Sequence, residues 1–294
     1  MPLDRRGVAA GLTAYVVWGL LTVYWHELHA LLPIALIGHR IVWASLLLSI
    51  IVTRTRRWSA IRKVATDRAL LRRVALASLL LSANWCSYVW AVTHDNVVET
   101  ALGYFMAPLV TVAIGVLMFH EIVRPLQRVA LAAAAIAVVV LTFEAGRVPM
   151  FALVLAITWG FYGLIKRTVP LHPVESLAAE TFILLPLAVI AVAIIESGSH
   201  AIHTTATPLQ IVMVFGTGAI TVGPLLLFAF AAPRVPFTVL GPLQYAVPTI
   251  NFVLGVFVYH ERMTTARILG FGFVWIALAC FTLDSLRTSP ALTV

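Results

Sequence analysis

Residues 37–45 read I-G-H-R-I-V-W-A-S, which sets a histidine and an arginine side by side inside a long apolar run. A guanidinium keeps its charge, so Arg40 needs either an anionic partner or a reach to water. The chemistry open to it is electrostatic: it binds an anionic group, or it closes as a gate against a carboxylate. His39 points about 100° away from it on a helix. It suits either proton carriage near neutral pH or a packed hydrogen bond.

Other polar residues recur at helical spacing within apolar runs. Asn84, Ser87 and Tyr88 follow i, i+3, i+4, with Trp85 and Trp90 beside them. That spacing makes one polar face, which in lipid must turn toward protein or a wet space. Tyr104, Pro108, Thr111 and Gly115 follow i, i+4, i+7, i+11, and Gln244, Pro248, Asn251 and Gly255 repeat the same spacing. Each set is a single face of polar, proline and small residues. Glu99 stands at the start of an apolar run, where it serves either as a helix cap or as a proton acceptor at the mouth of a path. Glu180 lies within another apolar run. The candidate substrate-binding residues are therefore Arg40, Asn84, Tyr88, Tyr104, Trp159, Glu180, Gln244 and Asn251, and the candidate proton-coupling or gating residues are His39, Glu99 and Glu180.

The elements that must hold these residues are membrane helices. The chain has 294 residues, of which 61% are hydrophobic and 11% charged, with a mean hydropathy of +0.99. A soluble domain carries about 25% charged residues, so lipid is the expected solvent. Ten segments have the roughly 20 apolar residues a crossing needs: 7–25, 34–52, 73–92, 99–118, 125–142, 149–165, 174–195, 209–230, 236–257 and 267–284. The segment 53–72 reads as the longest linker. The first segment reads as a retained span, since it lacks a small-residue cleavage site. With the N-terminus inside, sixteen Lys and Arg side chains fall in inside loops and three outside. The expected topology therefore puts both termini in the cytoplasm.

The net charge of +8 does not point to nucleic acid, because the basic residues sit in short loops rather than on one polar face. Cys86 and Cys280 lie in apolar runs without metal-ligand spacing. No GxSxG, HExxH or P-loop sequence is present. No cofactor, metal or enzymatic activity is expected, nor ATP-driven transport within this chain.

The chain also repeats itself. Y-F-M-A-P-L-V-T-V-A-I-G-V-L-M-F-H-E (104–121) aligns with Q-Y-A-V-P-T-I-N-F-V-L-G-V-F-V-Y-H-E (244–261) at an offset of 140. Trp18-Gly19 recurs as Trp159-Gly160, and Pro33 as Pro173. The units are expected at 1–146 and 147–294. Five crossings per unit is odd, so the second unit enters from the opposite side, the inverted duplication of many secondary transporters. The same offset carries Arg40 onto Glu180, which predicts a cation and an anion facing each other across the repeats.

On these residues the sequence resembles the RarD branch of the drug/metabolite transporter superfamily, with two EamA-type repeats. The resemblance spans all ten segments. It is carried by A-Y-V-V-W-G (14–19), H-R-I-V-W (39–43), N-W-C-S-Y-V-W-A-V (84–92), E-T-A-L-G-Y-F-M-A-P-L-V (99–110), G-F-Y-G-L-I-K (160–166), A-E-T-F-I-L-L-P (179–186) and L-G-P-L-Q-Y-A-V-P-T (240–249). It implies an all-α, ten-helix inverted basket around a central cavity, set in a bacterial inner membrane. It also implies a carrier that exports small metabolites or drugs, with Arg40, Asn84, Trp85, Tyr88, Glu99, Tyr104, Glu180 and Gln244 on family motifs. His120-Glu121 and His260-Glu261 depart from the usual Gly-Glu. The expected partners are an amino-acid-like metabolite or amphipathic drug, and membrane lipids. Two other readings stay open at this point: a lipid-linked or polyprenyl-phosphate flippase, and a non-transporting membrane sensor or scaffold.

Overall fold

The computed structural model describes residues 4–119, 124–146, 148–199, 201–231, 234–235, 243 and 245–288. Every regular element among them is helical: α1 (Arg5–Glu27), α2 (Pro33–Arg54), α3 (Trp58–Thr66), α4 (Arg68–Thr93), α5 (Val97–Phe119), α6 (Pro125–Ala145), α7 (Met150–Thr168), α8 (Pro173–Glu196), α9 (Ile202–Thr205), α10 (Pro208–Ala231), α11 (Ala246–Val253) and α12 (Thr265–Thr288). A π-helical turn, Leu254–Val258, extends α11. Helices α1, α2, α4, α8 and α10 are long and apolar enough to cross a membrane, and shorter apolar stretches fill 97–107, 128–143, 150–166, 246–258 and 265–280. These ten correspond to the ten apolar segments of the sequence.

Local chemistry fixes where the helices begin. Pro33 and Pro173 start α2 and α8, the first-turn position where a missing N–H costs nothing. Asp4 and Asp67 cap α1 and α4 by accepting from the backbone N–H groups of the following turn. The linker 53–72 is not irregular throughout. Its middle is α3, whose Trp58, Ile61 and Val64 recur at i, i+3, i+6 and of which Val64 is buried.

The packing follows a pseudo-two-fold pattern. Helix α1 packs on α10 and α11, as α7 packs on α4 and α5. Helix α2 lies against α10, as α8 lies against α4. The pairs α2–α8, α5–α11 and α6–α12 map onto themselves. Equating α1, α2, α4, α5 and α6 with α7, α8, α10, α11 and α12 relates these pairs to one another. Five helices per set, an odd number, is what an inverted duplication requires. The helices of one set bury their apolar faces mainly against the other.

Two glycines allow this closeness. A Cβ on Gly218 of α10 would lie 2.5 Å from the carbonyl carbon of Trp43 in α2, and one on Gly103 of α5 would lie 2.9 Å from the carbonyl oxygen of Ala152 in α7. Backbone cannot yield as a flexible side chain can. Gly218→Val is therefore expected to push α10 off α2 and cost about 1–3 kcal/mol, read as a drop of several degrees in apparent Tm of the detergent-solubilised protein.

Candidate functional site

Arg40 is placed by α2, seven residues from its start, or about 10 Å in at 1.5 Å per residue. It is only 6% exposed. Its Nε–H donates to the Thr221 hydroxyl on α10 at 3.0 Å, and Thr221 in turn donates to the Thr217 carbonyl. The rest of the guanidinium meets π faces. Its central carbon sits 4.0 Å from the Trp85 ring and 5.3 Å from the Trp25 ring. Cation–π contact of this kind offsets part of the burial cost without neutralising the charge. Among the described residues no carboxylate lies within ion-pair distance of Arg40. Trp25 is fully buried on α1, and its indole N–H has no acceptor.

The predicted Arg40–Glu180 pairing does not form. Glu180, 0% exposed on α8, is held by its own repeat: Lys166 Nζ at 2.6 Å, the Ser176 hydroxyl at 2.8 Å and the Tyr162 hydroxyl at 3.0 Å. Lys166 also donates to Ser176. Lys166, which reads in the sequence as a loop cation, is thus the counter-ion of a buried carboxylate. Its equivalent in the first repeat, taken from the Trp18/Trp159 match, is Trp25. A cation on α7 meeting an anion on α8 therefore corresponds to an aromatic ring on α1 meeting a cation on α2.

Around Arg40 a polar chain crosses the repeats. The Tyr88 hydroxyl of α4 bonds the Thr22 hydroxyl of α1 at 2.7 Å, Thr22 donates to Asn251 Oδ1 of α11 at 2.7 Å, and Asn251 Nδ2 approaches the Thr100 hydroxyl of α5 at 3.5 Å. A second junction centres on Asn84. Its amide donates to the Leu155 carbonyl and the Thr158 hydroxyl of α7, and its carbonyl accepts from the Tyr104 hydroxyl. The Tyr88 and Tyr104 rings lie 5.8 Å apart. Buried polar groups satisfied across helices hold a bundle in register. Asn84 and Asn251 are therefore bonded mainly to protein, and the ring faces that flank the guanidinium are those of Trp85 and Trp25.

The remaining candidates lie elsewhere. Trp159 is 37% exposed on α7 and contacts the Tyr162 ring rather than the Arg40 cluster. His39 reaches Glu196 at the end of α8 at 3.1 Å, where His203 also bonds. Glu99 accepts from the Phe151 N–H at 3.0 Å and so caps α7, a helix of the other repeat. Gln244 lies outside the described residues.

The model of the EamA-like transporter family matches residues 5–143 and again 147–283. The chain belongs to this family. The EamA chain is 39% identical over 286 residues to Protein RarD of Streptomyces exfoliatus, covering 97% of this chain and 91% of that one. It is 35% identical over 291 residues to the uncharacterized transporter YojE of Bacillus subtilis, covering 98% and 97%. A solved crystal structure of a protein 18% identical superposes with a TM-score of 0.62 over 96% of this chain and 98% of that one, which establishes the shared fold. This EamA chain is thus a multi-pass membrane transporter.

Several residues of the site escape a reading of the sequence. Thr221 and Trp25 carried no charge or motif to mark them. Tyr162/Lys166 and Ser176/Glu180 are both i, i+4 pairs, and two such pairs on helices joined by a short turn were the available signal. Glu261 was another. It accepts from the Val98 N–H at 3.1 and 3.2 Å and caps α5 from the second repeat. Burial pushes its carboxyl up to about 7, against the pull of the Val98 and Val97 N–H groups and of Arg267. A raised carboxyl favours the folded state below the usual carboxylate range, and the advantage is lost as pH rises through 7. Glu261→Gln keeps an acceptor without the charge. It is expected to flatten the fall in apparent Tm between pH 5 and about pH 8, leaving Tm at pH 5 within about a degree of wild type.

Proposed function

We propose that this protein is a secondary-active exporter of a small amphipathic metabolite or drug, working by alternating access, with both termini in the cytoplasm. The observation that carries the reading is Arg40: a charge buried without a carboxylate partner among the described residues, flanked by the Trp85 and Trp25 rings, where helices of both repeats meet. A structural arginine is answered by its own protein, as Glu180 is answered by Lys166. An arginine left partly unanswered suits a partner that comes and goes. The inverted repeat supplies two equivalent packings by which such a site opens to either side. The excess of loop cations on one side supports the orientation.

The test is counterflow in proteoliposomes loaded with aromatic acids, amino acids and amphipathic drugs. Saturable exchange of at least one class, absent from empty liposomes, is expected. No saturable flux across the panel overturns the reading. Reporter fusions at residues 4 and 288 should both report the cytoplasm, and opposite sides would overturn the orientation.

A further inference from the structure

Resting on the transporter reading, we propose that the ligand recognised at Arg40 is an amphipathic monocarboxylate, and that zwitterions and dianions are disfavoured. The guanidinium has only the Thr221 hydroxyl as a protein acceptor among the described residues, and the buried Trp25 indole N–H beside it has none. Both are donors. A site that presents donors and a fixed positive charge, and withholds acceptors, is matched by an anion with two acceptor oxygens. The Trp85 ring over the guanidinium, and the Tyr88 and Tyr104 rings packed on each other on α4 and α5, suit an apolar, ring-sized body.

The charge count narrows the class. A dianion brings a second carboxylate that needs a second cation. Among the described residues Lys166, the cation near the end of α7, is already joined to Glu180. A zwitterion brings an ammonium that needs a carboxylate, and Glu180 is occupied by Lys166, Ser176 and Tyr162. One unanswered positive charge therefore selects one negative charge. Burying any further charge in this setting carries its desolvation cost without a partner.

Four probes on one benzyl skeleton test this: 3-phenylpropanoate, its neutral amide 3-phenylpropanamide, the zwitterion phenylalanine and the dianion benzylmalonate. Binding is measured by calorimetry on the full chain in phosphatidylcholine nanodiscs at pH 7.5. The expected result is that 3-phenylpropanoate binds at least about tenfold tighter than each of the other three, the scale of a charge-assisted bond. Arg40→Gln is expected to erase the preference for acid over amide. Equal binding of acid and amide, tighter binding of phenylalanine or benzylmalonate, or no binding of any probe overturns the proposal. The wild-type series reads the answer even where the variant fails to fold. Two further arms separate the sources of an anion. If inorganic phosphate, or phosphatidylglycerol in place of phosphatidylcholine, displaces 3-phenylpropanoate, the counter-ion is a phosphate or a lipid headgroup and the proposal fails. Charge-selective binding without flux would sink the transporter reading alone. Flux without charge selectivity would sink this one alone.

Discussion

Arg40→Met should abolish flux while leaving the protein as stable as wild type or more so. The two effects arise from one fact, the absence of a carboxylate beside the guanidinium among the described residues. A charge within a span costs at least about 2.5–3.5 kcal/mol on insertion scales. Thr221 and the flanking rings offset part of that cost. Methionine keeps the stem's packing and removes the charge, and replacement of buried ionic groups by apolar ones is often neutral or stabilising by about 1–4 kcal/mol. Loss of the anion-binding group should lower exchange at least about 100-fold, or about 2.7 kcal/mol. Arg40→Lys retains a charge without the planar fork and should keep a small part of the activity. The checks are counterflow and thermal unfolding on the same preparation. Wild-type flux in Arg40→Met removes Arg40 from the mechanism. A large fall in Tm would mean that the arginine is structural.

The opposite behaviour is expected at Lys166–Glu180. Here the ions answer each other, so removing either strands its partner. Lys166→Met leaves a fully buried carboxylate with only hydroxyl donors and should cost about 3 kcal/mol or more. The double variant Lys166→Met/Glu180→Leu should recover most of that loss, because the desolvation cost of both ions disappears with them. A double-mutant cycle of apparent Tm values measures the coupling. Additive losses, with no recovery in the double variant, would show that the pair is not a closed unit. The contrast between the two sites is the sharper result: deletion should stabilise at Arg40 and destabilise at Lys166.

Much of the architecture was legible because membrane helices announce themselves by length and apolarity, and because the Pro33/Pro173 and Trp18/Trp159 matches preserve order. Arg40 was legible because a charge in an apolar run has few innocent explanations. The Arg40–Glu180 contact failed for a geometric reason. In inverted units, equivalent positions lie equally deep from opposite faces. Seven residues in from each side leaves about 10 Å of a roughly 30 Å hydrocarbon layer between them. Equivalence of position therefore brings together only residues near the midplane. Glu99 and Glu261 were hidden differently. A helix cap is usually sought on its own helix, whereas each of these serves a helix of the other repeat, a pairing that exists only once the fold is made. Thr22, Thr100 and Thr221 were hidden by their abundance, since a threonine in an apolar run gives no sign of which backbone or side chain it will meet.

The interlocked packing of the two five-helix sets has a consequence for motion. Because α1 is sandwiched by α10 and α11, and α7 by α4 and α5, neither sequence half can swing as a rigid body without breaking the contacts it makes with the other half. Under the proposed alternating access, the rocking pieces would be hybrids, each assembled from helices of both halves, with the self-paired helices near the pivot. A spin label on α1 should thus travel with one on α10 rather than with one on α4, although α1 and α4 were born in the same half.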